Sequence, residues 1–156
     1  MPGPPLERLE AARLAAAQPS RRPTADARLV ALGWATVDLE RALAALATAL
    51  GVPDDAFVEA PESVALGARC LVAAAALPGG EALAILEPST EGRLATTLAR
   101  LDEGPTIAWY AGLGDDLAGV GPPRTGPFGP ERLVGGDPIH GPHRFLIEGA
   151  PGTIAP

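Results

Sequence analysis

RLVALGWATVDLERAL, residues Arg28–Leu43, is the stretch whose reading decides the fold. Its first part, Arg28 to Thr36, is β-like, with Leu29, Val30, Leu32 and Trp34 supplying the branched and aromatic side chains that strands favour. Asp38 then stands as a helix N-cap with Glu40 in the first turn, where a carboxylate meets the free N–H groups and the positive end of the helix dipole. Leu39, Leu43, Leu46 and Leu50 form an apolar stripe at helical spacing, and Gly51 ends it. A strand feeding directly into a capped helix is the opening of a βα unit.

Upstream, Leu6, Leu9, Ala12, Leu14 and Ala16 sit among charged residues at roughly helical spacing and predict a helix over 5–17, stopped by Gln18-Pro19. Pro19 to Asp26 reads as a linker. Downstream come short β pieces at 56–59, 63–67, 70–77 and 81–87, the last after the turn Pro78-Gly79-Gly80. A second helix opens at Pro88-Ser89-Thr90-Glu91, with Ser89 as its expected cap and Leu94, Leu98 and Leu101 as its buried stripe. Glu103-Gly104-Pro105 stops it, and a strand follows over 106–111. A short helix is expected near 115–118, a Gly/Pro-rich loop over 119–130, and strands at 131–134 and 143–148. This order is an α+β arrangement in which βαβββ is written once clearly and once in degraded form.

Composition narrows the chemistry. A chain of 156 residues fits one core. All 12 basic residues are Arg and there is no Lys, so Schiff-base catalysis and a lysine-bearing phosphate loop are closed. The net charge of -7 opposes nucleic-acid binding, which needs clustered cations that Arg21 and Arg22 alone do not supply. Cys70 is the single cysteine, which excludes an intramolecular disulfide or a thiolate metal cluster and fits a reducing compartment. The first residues lack a signal-peptide pattern and the apolar run 70–77 is far too short to span a bilayer, so the expectation is a cytoplasmic protein without membrane contact. Gly112-Leu113-Gly114 and Gly119-Val120-Gly121 lack the context of a nucleotide-binding loop, and no serine sits in a nucleophile elbow.

Three segments together resemble the vicinal oxygen chelate superfamily of glyoxalases, methylmalonyl-CoA epimerases and bleomycin-resistance proteins. Arg28–Leu43 is similar to the family's first strand and D-L-E-type helix start. AILEPSTEGRLATTLARL, 84–101, with Asp102-Glu103-Gly104-Pro105, is similar to the strand, proline, helix and G-E-G turn that join the two modules. His140-Gly141 and FLIE, 145–148, resemble the closing H-G-V-L-I-E-L strand. The resemblance implies paired βαβββ modules curled into a half-barrel sheet, here with a degraded second module and an extra N-terminal helix, and commonly a homodimer. It divides the chain into an N-terminal helix and linker over 1–27, a glyoxalase-like domain over 28–150 and a tail over 151–156.

The family's metal is held by four side chains, and the resemblance places those positions at Ala31, Ala84, Ile107 and Glu148. Only Glu148 is a donor, and a single carboxylate does not hold a catalytic ion. No metal and no other cofactor is therefore expected. A substitute set of His140, His143 and Glu148 is chemically sensible, but Gly141 and Pro142 put the histidines in a turn.

Strand alternation extends the reading to the cup. Ala31, Gly33 and Ala35, then Ala82, Ala84 and Leu86, then Ile107 and Trp109, then Arg144, Leu146 and Glu148 are expected to face inward, with Trp109 as a flat wall. A one-residue shift would turn Thr106, Ala108 and Tyr110 inward instead, while Trp34 packs beneath the helices. An apolar cavity with an aromatic platform and a few polar groups suits a small organic ligand. The leading expectation is metal-independent binding of a small, largely apolar or cationic molecule by Trp109, Arg144, Glu148, Ile107, Ala31 and Ala84, in a sequestration or resistance-type role. The alternative is an isomerase, epimerase or lyase in which Glu148 acts as acid/base and His143 assists. A third class is an interaction module using the N-terminal helix or the 119–130 loop, which is otherwise a lid or a dimer contact.

Overall fold

A computed structural model describes residues 3–112, 121–134 and 143–147. The elements run α1 (Pro5–Ala17), β1 (Arg28–Ala35), α2 (Leu39–Leu50), β2 (Val58–Ser63), β3 (Ala68–Ala73), β4 (Ala82–Pro88), α3 (Arg93–Leu101), β5 (Gly104–Ala111), β6 (Arg124–Gly126), β7 (Gly129–Leu133) and β8 (His143–Ile147). The eight strands of the described residues form one curled, nearly closed sheet in the order β2-β3-β4-β1-β5-β8-β7-β6. Its two halves repeat one plan. β1 lies parallel to β4, β5 lies parallel to β8, and the halves join where β1 runs antiparallel to β5. The second module, expected to be degraded, carries a full set of four strands. Among the described residues, no helix is long and apolar enough to cross a membrane.

The deciding stretch folds as its pattern requires. Asp38 accepts a hydrogen bond from Arg41 N–H at 3.1 Å, and Gly51 closes α2 in the left-handed conformation with φ 68°. Two further carboxylates crowd the same helix start. Glu87 accepts from Leu39 N–H at 2.9 Å, and Glu103 accepts from Val37 N–H at 3.2 Å, from the Thr36 hydroxyl, and from the Arg41 guanidinium at 2.8 Å. They satisfy donors that a helix start leaves open and complement its dipole.

Several boundaries differ from the expectation. Residues 64–67 form a turn, with Gly67 at φ 67° and its N–H donating to Ser63 C=O at 2.9 Å. Ser89 does not cap α3: the helix starts later, with Gly92 at the cap position, and Ser89 N–H instead donates to Gly67 C=O at 2.8 Å. The stretch 119–130 is not wholly a loop, since Arg124–Gly126 pairs with Gly129–Leu133 as a hairpin. Its Pro/Gly-rich sequence shows no alternation because β8, far along the chain, supplies the pairing that holds it. The helix expected near 115–118 and the tail 151–156 lie outside the described residues.

The sheet separates two cores. On its outer face α1 and α2 cover Leu32, Trp34, Ile85, Ala108, Tyr110 and Leu146. Arg8 of α1 lies over the Trp34 ring at 5.0 Å and donates to Glu103 C=O at 2.8 Å. On the inner face Ala31, Ala84, Leu86, Ile107, Trp109, Phe145 and Ile147 pack together with Leu94 and Leu98 of α3. Gly33 is required there. A Cβ at this position would stand 2.8 Å from both the Ile107 Cβ and the Trp109 Cζ3, because the indole lies across the bare backbone. Gly33→Ala is expected to lower stability by about 1–3 kcal/mol, the usual cost of an extra methyl in a filled core. A chemical denaturation midpoint equal to wild type would contradict this packing.

Candidate functional site: the inner face of the sheet

The inner face gathers its residues by register. Gly33 pairs with Ala84 on one side and Ile107 on the other, and Ala31 pairs with Ala82 and Trp109. Ala31, Ala84 and Ile107 are thus brought together on three neighbouring strands, fully buried. Three hydrocarbon side chains do not fit a divalent ion. Among the described residues no group of three His, Cys, Asp or Glu side chains stands close enough to hold one. The remaining position of that set, Glu148, and its suggested companion His140 lie outside the described residues.

The last strand presents the opposite parity from the expected one. His143, Phe145 and Ile147 belong to the inner side of β8, whereas Arg144 and Leu146 face the helices. The pairing Ile107↔His143 and Trp109↔Phe145 fixes this, since paired residues share a face. Arg144 therefore leaves the inner face and donates to Arg21 C=O at 2.8 Å on the outer side. Thr106, Ala108 and Tyr110 also lie outward, so Ile107 and Trp109 are the inward pair on β5.

Trp109 is completely buried. Phe128, at the β6–β7 turn, meets its ring edge-on at 4.9 Å, and Phe145 stacks on it at 5.9 Å. Its indole N–H donates to Glu131 Oε1 at 2.9 Å, while the Ser63 hydroxyl donates to Glu131 Oε2 at 2.7 Å. Glu131 is itself only 1% exposed. Burial pushes its carboxyl up to about 7, against the two hydrogen bonds, which favour the carboxylate. Gly126 makes room for it, since a Cβ there would overlap the carboxyl group.

The Ser63–Glu131 bond also spans the seam between the sheet's two ends. Beside it Val64 N–H donates to Thr125 C=O at 3.0 Å. Glu131 was missed in the sequence because β7 is short and glycine-flanked, with no apolar alternation to assign an inward face. The available signal was a carboxylate two residues beyond Gly129 in a hairpin carrying Phe128.

His143 holds a separate corner. Its Nε2 lies 2.7 Å from the Thr97 hydroxyl, which itself donates to Arg93 C=O at 2.9 Å. The ring nitrogen is accordingly the donor to Thr97. Burial first, and the nearby Arg93 second, pull His143 down to about 4. It is a neutral side chain tying β8 to α3. Glu131 pairs with Ile147, four residues along β8 from His143, which separates the two groups by roughly 13 Å. They do not share one proton. Cys70, also on this face, is pushed up to about 12 by burial and is unreactive as a thiol.

The architecture now decides the comparison with known proteins. The chain has the fold of the methylmalonyl-CoA epimerases. The Mycobacterium tuberculosis methylmalonyl-CoA epimerase superposes with a TM-score of 0.60 at 20% identity, over 84% of this chain and 92% of that one. A variant of the Streptomyces coelicolor enzyme in complex with 2-nitronate-propionyl-CoA gives 0.59 at 21% identity, over 79% and 97%. A hypothetical protein from Bacillus halodurans C-125 gives 0.58 at 16% identity, over 79% and 94%. No protein-family model matches the chain, and no curated protein matches it. The vicinal oxygen chelate resemblance carried by Arg28–Leu43 and 84–105 thus holds at the level of fold, with α1 added to the paired modules.

Proposed function

We propose that the inner face binds a small organic molecule directly, without a metal, and that Glu131 is its polar anchor. The observation that carries this reading is a near-neutral carboxyl buried among Trp109, Phe128 and Phe145 in the place where the family resemblance puts metal and substrate. Trp109, Ile107, Ala31 and Ala84 form the apolar wall. The β6–β7 hairpin is the lid: Phe128 occupies the face of Trp109 that a flat ligand would take, and its withdrawal makes the room. Arg144, facing away, has no part in this wall. The homodimer implied by the resemblance belongs to the same proposal, with sedimentation velocity as its check.

A cationic, largely apolar guest suits such a carboxyl. An amine binds the ionised form, so affinity for phenethylamine rises with pH up to about 7 and then levels. A neutral isostere shows no such rise. A second reading is favoured by the same protonation property together with the enzymes that share the fold. A carboxyl poised near neutrality is suited to abstracting and returning a proton next to a carbonyl, as an epimerase requires.

One set of measurements separates the readings. Methylmalonyl-CoA is incubated with the purified protein in D2O and the α-proton is followed by NMR. Exchange abolished in Glu131→Gln supports the enzyme. Lack of exchange, combined with saturable phenethylamine binding lost in Glu131→Gln, supports the binding protein. A stoichiometric rise in melting temperature on adding cobalt or zinc would overturn metal independence.

A further inference from the structure

A cavity lies on the side of the sheet opposite the inner face, beneath the helix that the paired modules do not require. It encloses about 290 Å³ between α1 and the outer faces of β5 and β8, near the small end of ligand-binding cavities. Ala12, Ala15 and Ala16 form its roof, and Leu32, Ala108 and Leu101 are among the apolar groups facing them. These three small side chains leave unfilled the space between helix and sheet that larger ones would occupy. Nothing in the packing of α1 demands this, since Leu9 already anchors the helix at full burial.

The polar groups of this cavity are not random. Arg21 and Arg144 line one end with the Tyr110 hydroxyl, which donates to Ala16 C=O at 2.7 Å. Arg22 stands close enough to act electrostatically on the same hydroxyl. Arg144 spends one donor on Arg21 C=O, and Arg22 spends two on Ala17 C=O at 3.3 and 3.2 Å. A guanidinium carries five donors, and among the described residues most of these have no further partner. Among the described residues, none of these three guanidinium groups is ion-paired with a carboxylate, in a chain whose net charge is -7. Further along β5, the Thr106 hydroxyl oxygen is buried in the cavity wall without a partner among the described residues. Buried polar atoms are ordinarily paired, so this hydroxyl, facing a roomy cavity, is a group with hydrogen-bonding capacity to offer a molecule there.

We infer that this cavity is a second binding site, for a small organic carboxylate with an apolar body. The carboxylate meets Arg21 and Arg144, whose forked donors match its two oxygens. The body lies along the alanine roof, and a hydrogen-bonding atom on it reaches Thr106. The site stands independently of Glu131 and of whatever the inner face binds.

The test is isothermal titration of the full chain with 3-phenylpropanoate and with its neutral amide, at concentrations up to about millimolar. The acid is expected to bind saturably and the amide at least roughly tenfold more weakly, the worth of a charge-assisted pair. Arg144→Gln and Arg21→Gln each weaken the acid by a similar factor, and Ala12→Leu, which fills the roof, abolishes binding. Glu131→Gln leaves it unchanged, so failure here and failure of the inner-face reading are distinguishable. Thr106→Val serves as a second cavity variant if Ala12→Leu unfolds, with melting curves as the control. Absence of saturable binding, equal affinity for acid and amide, or binding indifferent to the cavity variants would overturn the inference.

Discussion

Glu131→Gln is expected to be more stable than the wild type above neutrality, and to turn a nearly flat dependence of stability on pH into a rising one. The sign follows from two buried groups that oppose each other. Glu131 ionises at about 7 in the fold, against an ordinary 4.5. Between these values the folded chain holds a proton that the unfolded chain has released, so stability falls as pH rises, by roughly 3 kcal/mol in total. His143 ionises at about 4 against 6.5, so in its window the unfolded chain is the one that gains the proton. Its contribution rises with pH by a similar amount.

From about pH 4.5 to 6.5 the two slopes cancel, and above 6.5 only the Glu131 loss remains. The glutamine keeps both hydrogen bonds, its oxygen accepting from Trp109 and its amide donating to Ser63, while removing the charge. Urea denaturation at pH 5 and pH 7.5 checks this. His143→Gln should give the mirror image, a stability that declines through the same interval. A Glu131→Gln protein less stable than wild type at both pH values would show that the carboxyl is needed for its charge.

Trp109→Ala is expected to have the largest effect of any single truncation on the inner face. The indole is fully buried against Phe128 and Phe145, covers the bare backbone of Gly33, and supplies one of the two donors to Glu131. Its removal combines a large cavity with a weakened polar seam. Truncations of this kind cost about 3–5 kcal/mol. Loss of one hydrogen bond to a buried carboxyl adds to that. Trp109→Phe narrows the comparison, since it keeps most of the aromatic volume while losing the N–H and the remainder of the bicyclic ring. The denaturation midpoint should fall strongly for alanine and by a fraction of that for phenylalanine. Similar losses in both would assign the effect to what both remove, the N–H and the remainder of the bicyclic ring.

The sequence was most legible where the pattern is local. Arg28–Leu43 declared its strand, cap and helix because Asp38, the leucine stripe and Gly51 each act within a turn or two of themselves. Trp34 and Trp109 lie on opposite faces, as alternation anchored on the family resemblance expects, and the one-residue shift that would have turned Thr106, Ala108 and Tyr110 inward is the alternative the structure does not take. Alternation failed on β8 because only Phe145, Leu146 and Ile147 precede Glu148, and three consecutive apolar residues carry no period. Its face is fixed by pairing with β5, 36 positions upstream, as in Ile107↔His143. The strand expected at 131–134 appears as β7, Gly129–Leu133, but β6 and the inward face of β7 were illegible for the same reason: a hairpin of Gly, Pro and Arg is held by β8, further along the chain. With them went Phe128 and Glu131, the two residues that change the cup from an open apolar hollow into a filled core with one titratable group.

The position of β8 sets the order in which the molecule can be made. β8 lies inside the sheet, between β5 and β7, although it is the last of the described strands in sequence. The β6–β7 hairpin joins the rest of the sheet through β8, apart from the seam contact at Val64 and Ser63. During synthesis the first four strands and α2 can assemble while Trp109 still faces water. Phe128 and Glu131 gain a lasting place only after residue 147 has emerged. Closure of the inner face therefore waits on a long-range pairing, and until β8 is in place the aromatic surface of Trp109 stays uncovered by Phe128.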